Sequence, residues 1–211
     1  MLAKGVKEKG FLAKLLEKGI KIWLKKECKK IAKIKIDIIA TSIQIIKGII
    51  QSIHINAEDI NYKDLLFDEI KLEANEVKIN FKLENKELKF KNNFTVRFRI
   101  SLSQNSLKTI LFSNNWSWIG SMISKELLNQ KRLEGIKIKN DQILIEASDE
   151  KNTNYKEEKV NLKAKNGKIF LENKNHNKSF QIPIEDKVFI KNLSIHNGLI
   201  IITANSSISF N

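Results

Sequence analysis

The hydrophobic positions of residues 11–32 repeat at spacings of three and four, which is the period of an α-helix. On a helical wheel they fall on one broad arc, which is formed by Leu12, Leu15, Leu16, Ile20, Ile22, Trp23 and Ile31. The other side of the wheel carries a row of lysines, Lys14, Lys18, Lys21 and Lys25. The pattern predicts a long, basic and amphipathic N-terminal helix.

From Ile34 onward the hydrophobic period becomes two, which indicates β-strands with one buried face. The alternating segments are Ile34/Ile36/Ile38, Ile43/Ile45, Ile53/Ile55, Ile70/Leu72/Ala74, Val77/Ile79/Phe81, Leu88/Phe90 and Phe94/Val96/Phe98/Ile100/Leu102. Polar residues such as Arg97 and Arg99 fill the alternate positions, so the other face of the sheet is expected to meet water. The short connections between these segments predict a meander-like antiparallel sheet.

A helical period returns in the middle of the chain, at about 103–130. Ser103 or Asn105 is the expected N-cap, and Asn114-Asn115 is expected to break the segment into two stretches. The second stretch carries the bulkiest apolar patch of the chain, with Trp116, Trp118, Ile119, Met122 and Ile123. Its tryptophans suit either an ordinary core or the lip of a ligand cavity, because indole is apolar in body and polar at its tip.

Beyond this segment the strands resume. Two hairpins are predicted, with turns at Asn140-Asp141 and Asn197-Gly198, while the polar segments 149–159 and 172–179 are expected to be loops. Helices combined with antiparallel strands indicate an α+β fold. No Pro- or Gly-rich linker divides the chain, so we expect a flexible basic N-terminus at 1–10 and a single domain at 11–211.

Charge is concentrated at the start of the chain. Twelve Lys and three Glu in the first 35 residues give nine of the formal net charges of +14. Such a segment favours an anionic surface, to which each nearby Lys contributes about 1 kcal/mol. The residues expected to dock on a membrane are Lys14, Lys18, Lys21, Lys25, Lys29 and Lys30. A helix packed on its own sheet with a solvated lysine face would give the same pattern, and both interpretations can hold together.

Composition narrows the possible partners. Only three of the 38 basic residues are Arg, whereas base recognition favours the guanidinium, so no specific nucleic acid is expected. Non-specific RNA or DNA binding through the lysine cluster stays an alternative. Neither a secretory signal nor an apolar run of about 18 residues is visible. We therefore expect a cytoplasmic protein that associates peripherally with membranes.

Residues that carry catalysis are scarce. His54, His176 and His196 are not at metal-ligand spacing from one another or from the single cysteine, Cys28. No phosphate-binding glycine loop or nucleophile elbow is present. We therefore expect no metal, no cofactor and no enzymatic activity.

Several motifs resemble the LmeA-like phospholipid-binding family of bacteria, and most of all its shorter photosynthetic-bacterial branch. They are a glycine before an Ile-rich strand, an A-x-x-I/V-x-Y strand, an F/L-x-x-I-x-L-E-A/G strand, and I-S-x-x-x-L at the central helix. The matching residues are Gly48, Ala57, Ile60, Tyr62, Phe67, Ile70, Leu72, Glu73, Ala74, Ile100, Ser101 and Leu107. The family's G-R-I/V-P-G pattern is absent, because Gly48 is followed by Ile49-Ile50-Gln51.

The resemblance implies a curved antiparallel sheet wrapped around helices, similar to tubular lipid-binding proteins, with an apolar interior for acyl chains. The hypothesis is a non-catalytic, lipid-interacting peripheral membrane protein that carries lipid or assists membrane assembly. The acyl chain would lie near Leu111, Phe112, Trp116, Trp118 and Met122. The alternative is a structural or assembly module without bound lipid.

Overall fold

A computed structural model describes residues 10–82, 87–149 and 155–209 of the chain. Apart from Gly10, the N-terminus that was predicted to be flexible lies outside the described residues. The elements follow in chain order: α1 (Phe11–Glu27), β1 (Lys30–Ile39), α2 (Ser42–Ile46), β2 (Ile49–Tyr62), β3 (Leu65–Lys82), β4 (Glu87–Phe90), β5 (Phe94–Ser103), α3 (Gln104–Leu111), α4 (Ser117–Ile123), a π-helical turn (Ser124–Leu128), β6 (Arg132–Lys139), β7 (Gln142–Ser148), β8 (Tyr155–Lys165), β9 (Lys168–Asn173), β10 (Lys178–Ile182), β11 (Val188–His196) and β12 (Leu199–Ile208).

Within the described ranges every strand pairing is antiparallel, and β-structure predominates over helix. The strands divide into two sheets. A seven-stranded sheet has the order β1-β2-β3-β5-β12-β11, with β4 paired to β3, and a five-stranded sheet has the order β10-β9-β8-β7-β6. The coarse prediction of an α+β, mainly antiparallel fold is confirmed. An alternating pattern alone does not tell one sheet from two, because both give the same period.

Helix α1 packs on the large sheet at its β1 edge. Its buried residues Ala13, Leu16 and Ile20 join one apolar cluster with residues of β1, α2, β2 and β3. The backbone N–H of Ile38, on the edge strand β1, donates to Oε1 of Glu17 at 3.0 Å. One side chain of the helix therefore satisfies a donor that an edge strand would otherwise present to water.

The second cluster joins α3, α4 and the π-helical turn to the smaller sheet. Its most buried members, at 0–3% exposure, are Ile123, Leu127, Leu128, Ile136, Ile143, Ile145, Ala147, Val160, Leu171 and Ile200. Ile200 belongs to β12 of the large sheet, so the cluster connects the two sheets. A third, smaller cluster of Ile169, Ile190 and Ala204 extends this connection.

Three local predictions are wrong, each because tertiary or capping interactions override the period. The helix ends at Glu27 and not near Ala32, since β1 pairs with β2 from Lys30 onward. The predicted strand at Ile43/Ile45 is helix α2, which a capping box between Thr41 and Gln44 begins. The predicted loop 149–159 contains the start of β8, and residues 150–154 lie outside the described part of the chain.

Strand β3 also differs from its prediction as two separate segments. It is one strand of 18 residues, in which Glu76 has a positive φ of 55°. The change of backbone conformation lets Ala74 and Val77 both face the core, although they are three residues apart. The N-cap at Ser103 and the hairpin turns at Asn140-Asp141 and Asn197-Gly198 are confirmed.

Gly48 occupies a position that no other residue fills without strain. Its φ is +72°, and a Cβ would collide with the backbone carbonyl of Ile79. We predict that Gly48→Ala lowers the free energy of unfolding by about 2 kcal/mol or more. Gly19→Ala is the matched control, since a Cβ there meets no atom within 4 Å and should stabilise the helix by about 1 kcal/mol. Urea denaturation of both variants measures the difference, and similar midpoints would contradict the assigned backbone conformation.

Candidate functional site

The outer surface of α1 is the part that faces away from the core and is defined by Phe11, Lys14, Lys18, Lys21, Ile22 and Lys25. All six side chains are exposed, with Phe11 at 77% and Ile22 at 62%. Phe11, Lys18, Ile22 and Lys25 follow one another at spacings of seven, four and three, so they form one stripe along the helix. Apolar and cationic groups therefore alternate on this surface.

The lysines of the outer surface are like charges spaced three or four residues apart. None of Lys14, Lys18, Lys21 and Lys25 forms an ion pair with another described residue. Like charges three or four residues apart destabilise a helix by a few tenths of a kcal/mol per pair. The row is thus unfavourable for the isolated fold, and an external anion would relieve it.

Lys29 and Lys30, the other two predicted docking residues, lie beyond the end of the helix. Nζ of Lys29 is 2.6 Å from Oδ1 of Asp64, so its charge is already paired. Lys30 begins β1, where it is exposed opposite Asn61. Both residues follow the lysine row of α1 in the sequence. Lys29 would attract an external anion more weakly, because Asp64 already balances its charge.

The predicted apolar arc of α1 divides into two parts. Leu16 and Ile20 belong to the core, whereas Ile22 and Trp23 are exposed, Trp23 at 58%. A helix packed on one sheet buries only a stripe of its circumference, which explains the exposed Ile22. Trp23 lies seven residues after Leu16, on the same side of the helix but nearer to its C-terminal end. Burial of Leu16 and Ile20 fits the interpretation of a helix packed on its own sheet, and membrane contact of the exposed residues stays a prediction.

An exposed apolar surface adjoins the start of α1, because Gly10, just before α1, lies beside Ser42 of α2. We call it the α2 corner and define it by Ile39, Ile43, Ile46 and Ile49. Ile43 and Ile46 are 66% and 76% exposed, although Ile45 between them is buried. Sequence reasoning missed this surface because it placed Ile43 and Ile45 in a strand. The signal was the spacing of three between Ile43 and Ile46, which is helical.

The five residues expected to bind an acyl chain separate by burial. Leu111 is in the core at 5% exposure, and Trp116 packs against the same cluster while its Nε1 donates to the carbonyl of Lys63 at 2.8 Å. Phe112, Trp118 and Met122 are exposed at 44%, 45% and 39%. In this segment Leu111 and Trp116 form a packed base, and the exposed side chains of Phe112, Trp118 and Met122 are called the apolar rim of α4.

The polar face of the large sheet carries a groove of about 510 Å³. A row of directly paired residues crosses it from β1 to β12: Lys35, Asn56, Lys71, Arg99 and Thr203. The next row contains Asp37, His54, Glu73, Arg97 and Asn205. Sequence reasoning recognised this face only as the wet side of the sheet.

The second of these rows places carboxylates beside its arginine. Nη2 of Arg97 donates to Oε1 of Glu73 at 2.6 Å. The pKa of Glu73 lies below its ordinary value, because its carboxylate accepts hydrogen bonds from the Asn75 amide and from Arg97. The Glu73 carboxylate therefore stays ionised at neutral pH and keeps Arg97 paired.

The single cysteine and two of the histidines have separate surroundings. The pKa of the Cys28 thiol is raised, first by burial and then by the nearby Glu27 carboxylate, which disfavours the reactive thiolate. Nε2 of His54 lies 2.6 Å from Oγ of Ser52, and Nε2 of His176 lies 2.9 Å from Oε1 of Glu158. In residues 10–82, 87–149 and 155–209, no three His, Cys, Asp or Glu side chains are grouped to hold a metal ion.

Among the described helices, none combines the length and the apolar character that crossing a bilayer requires. No protein-family model matches the chain, and no curated protein or solved structure shows significant similarity to it. The resemblance to the LmeA-like family accordingly stays a prediction.

The lysine row makes a prediction about stability. Lys18 lies four residues from Lys14 and three from Lys21, so Lys18→Glu changes two repulsive pairs into attractive ones. We expect the free energy of unfolding at low ionic strength to rise by about 0.5–1 kcal/mol. Lys18→Gln, which only removes the repulsion, should give an intermediate value, and 1 M salt should abolish both gains. A loss of stability for Lys18→Glu at low salt would mean that Lys18 has a favourable partner in the fold.

Proposed function

We propose that this protein is a non-catalytic, lipid-interacting protein that docks peripherally on anionic membranes through the outer surface of α1. The observation that carries the proposal is the stripe on which Phe11 and Ile22 alternate with Lys18 and Lys25. A surface of this composition suits the bilayer interface, where phosphate groups lie next to the first carbons of the acyl chains.

The arrangement also supports a defined orientation of the protein on the bilayer. Ala13, Leu16 and Ile20 fix α1 to the core, so the helix does not need to leave the sheet in order to dock. The exposed isoleucines of the α2 corner lie next to the start of the helix and extend the apolar contact.

The energies favour reversible binding. Four lysines contribute about 4 kcal/mol at roughly 1 kcal/mol each near an anionic surface. Burial of apolar surface adds about 25 cal/mol per Å², which for a few partly inserted side chains is several kcal/mol. Salt screens the first contribution much more than the second.

A second part of the proposal concerns the acyl chain. The exposed rim of Phe112, Trp118 and Met122 supports a contact for apolar chains beside α4. The hydrogen bond from Trp116 to Lys63 holds the base of this rim in place. The expected curvature of the sheet, which would shelter the chain, belongs to this part of the proposal.

Flotation with vesicles tests the docking surface. The variant K14Q/K18Q/K21Q/K25Q should have a partition coefficient about 100-fold or more lower on vesicles that contain roughly 30% anionic lipid. The reason is that each lysine contributes about 1 kcal/mol. The control K139Q/K165Q/K174Q/K187Q removes the same charge from exposed positions elsewhere. It should bind nearly as well as the unchanged protein.

Two outcomes would contradict docking through α1. Equal losses in both quadruple variants would attribute binding to net charge alone. Binding that does not respond to lipid charge or to ionic strength would exclude the lysine row. Competition with single-stranded DNA or RNA distinguishes the nucleic-acid alternative, which predicts binding without preference for vesicles.

Co-purifying lipid tests the acyl-chain contact. Organic extraction of the purified protein, followed by mass spectrometry, should find phospholipid at a fixed ratio to protein. The variant W118N/M122N should reduce that ratio severalfold, since it removes much of the exposed apolar rim. Protein that is free of lipid in both forms would favour the structural or assembly module instead.

A further inference from the structure

The polar face of the large sheet carries one row of paired residues that contains cations and no carboxylate. Lys71 and Arg99 are directly opposite each other on β3 and β5. Side chains in this relation lie about 5 Å apart at their Cβ atoms, and like charges there are destabilising. Nζ of Lys71 shares the carboxylate of Glu69 at 2.9 Å, but Arg99 forms no ion pair with another described residue.

Lys35 adds a further charge to the same row. It lies two strands from Lys71, and Asn56 lies between them. Lys35 likewise has no ion pair among the described residues. The row therefore presents Lys35, Lys71 and Arg99 to one groove together with two neutral polar groups, the Asn56 amide and the Thr203 hydroxyl.

The neighbouring row of the groove, from Asp37 to Asn205, has a different charge pattern. There Glu73 holds Arg97 at 2.6 Å, and Asp37 contributes a second carboxylate. Two rows of the same groove thus differ, because one has two carboxylates beside a single arginine and the other has three cations and no carboxylate. Both rows cross the same strands at the same spacing. The difference in charge therefore comes from the residue types alone.

The residue types point to phosphate. Guanidinium binds phosphate oxygens with two parallel hydrogen bonds, and ammonium groups add point charges. Arg is rare in this chain, at three residues, yet two of the three line this groove. A doubly charged anion matches a row of several cations better than a single carboxylate does.

The size and the remaining charges of the groove describe the rest of the ligand. A volume of about 510 Å³ exceeds what a free phosphate ion fills and lies within the range of small-molecule sites. The Asp37 and Glu73 carboxylates would repel a second anionic group, whereas Asn56 and Thr203 can bind hydroxyls. The body of the ligand should therefore be neutral and polar.

We propose that this groove binds a phosphate monoester with a neutral, hydroxyl-bearing body, and that Arg99, Lys71 and Lys35 hold the phosphate. The site is separate from the outer surface of α1 and does not depend on membrane docking. The same chemistry occurs in a water-soluble sugar or glycerol phosphate and in the headgroup of a lipid.

Ligand titration with glycerol 3-phosphate tests the site, with glycerol and inorganic phosphate as comparison probes. At 10 mM ligand and low salt, glycerol 3-phosphate should raise Tm by about 2 °C or more, and glycerol should not. Arg99→Gln should weaken binding at least about fivefold in isothermal titration. Without ligand, Arg99→Gln should melt no lower than the unchanged protein, since it removes a like-charge pair.

Arg132→Gln is the matched control, because Arg132 is the one arginine of the sequence outside the groove. It should leave the affinity unchanged. Equal losses for Arg99→Gln and Arg132→Gln would overturn the proposal, and so would an equal response to inorganic phosphate and glycerol 3-phosphate. The absence of any glycerol 3-phosphate binding at roughly 10 mM would also overturn the proposal, since a dissociation constant above this concentration is too weak for a specific site.

Vesicles containing phosphatidic acid distinguish the two sources of the ligand. If glycerol 3-phosphate releases the K14Q/K18Q/K21Q/K25Q variant from residual binding to these vesicles, the groove takes a lipid headgroup. If glycerol 3-phosphate binds this variant without affecting its association with vesicles, the groove takes a soluble phosphate ester. Either result supports the site. Failure of vesicle docking through α1 would leave the titration result unchanged, so the two proposals are tested separately.

Discussion

The seven-stranded sheet has one apolar face, and this face must be covered across its width for the fold to exist. Helices α1 and α2 cover it near β1, while α3, α4 and the smaller sheet cover the part near β5 and β12. Burial of apolar surface is the dominant favourable term in folding, so the covers are as necessary as the sheet itself. The organisation of the molecule therefore follows from one requirement, which is that different helices and the smaller sheet each pack on a different part of this apolar face.

This assignment separates the two candidate sites. A helix that covers the sheet necessarily turns its opposite side outward, and on α1 that side carries exposed lysines with Phe11 and Ile22. The groove belongs to the uncovered, polar face of the same sheet, with Arg99 and Lys71 in it. The surface proposed for membrane docking and the groove proposed for a phosphate ester therefore belong to different faces of the structure and share no residue.

The sequence predicted the periodic features well, since they depend on local rules. The N-cap at Ser103 and the Asn-Gly turn of the last hairpin follow from side-chain capping and from positive φ. The period of two predicted the strands and the wet face. These features were predictable because a few neighbouring residues determine them.

The remaining features depend on contacts between distant residues. The end of α1 at Glu27 is set by pairing of β1 with β2, and the division into two sheets depends on which strands pair. The lysines of α1 could be identified from the wheel, but the charge balance of the groove could not. Arg99 and Lys71 become neighbours only through the register of β3 and β5, which a one-residue shift would abolish.

The contact between Glu17 and the Ile38 amide has a consequence for how this molecule behaves towards its own copies. An uncovered outer strand is a template on which a second chain can add by main-chain pairing, the first step of fibrous aggregation. Here an acidic side chain of the overlying helix occupies one of the donors that such pairing would use. Detachment of the helix would therefore expose the unpaired edge of β1 together with the apolar face of the sheet. Protection of the protein against aggregation thus depends on the helix staying packed on the sheet.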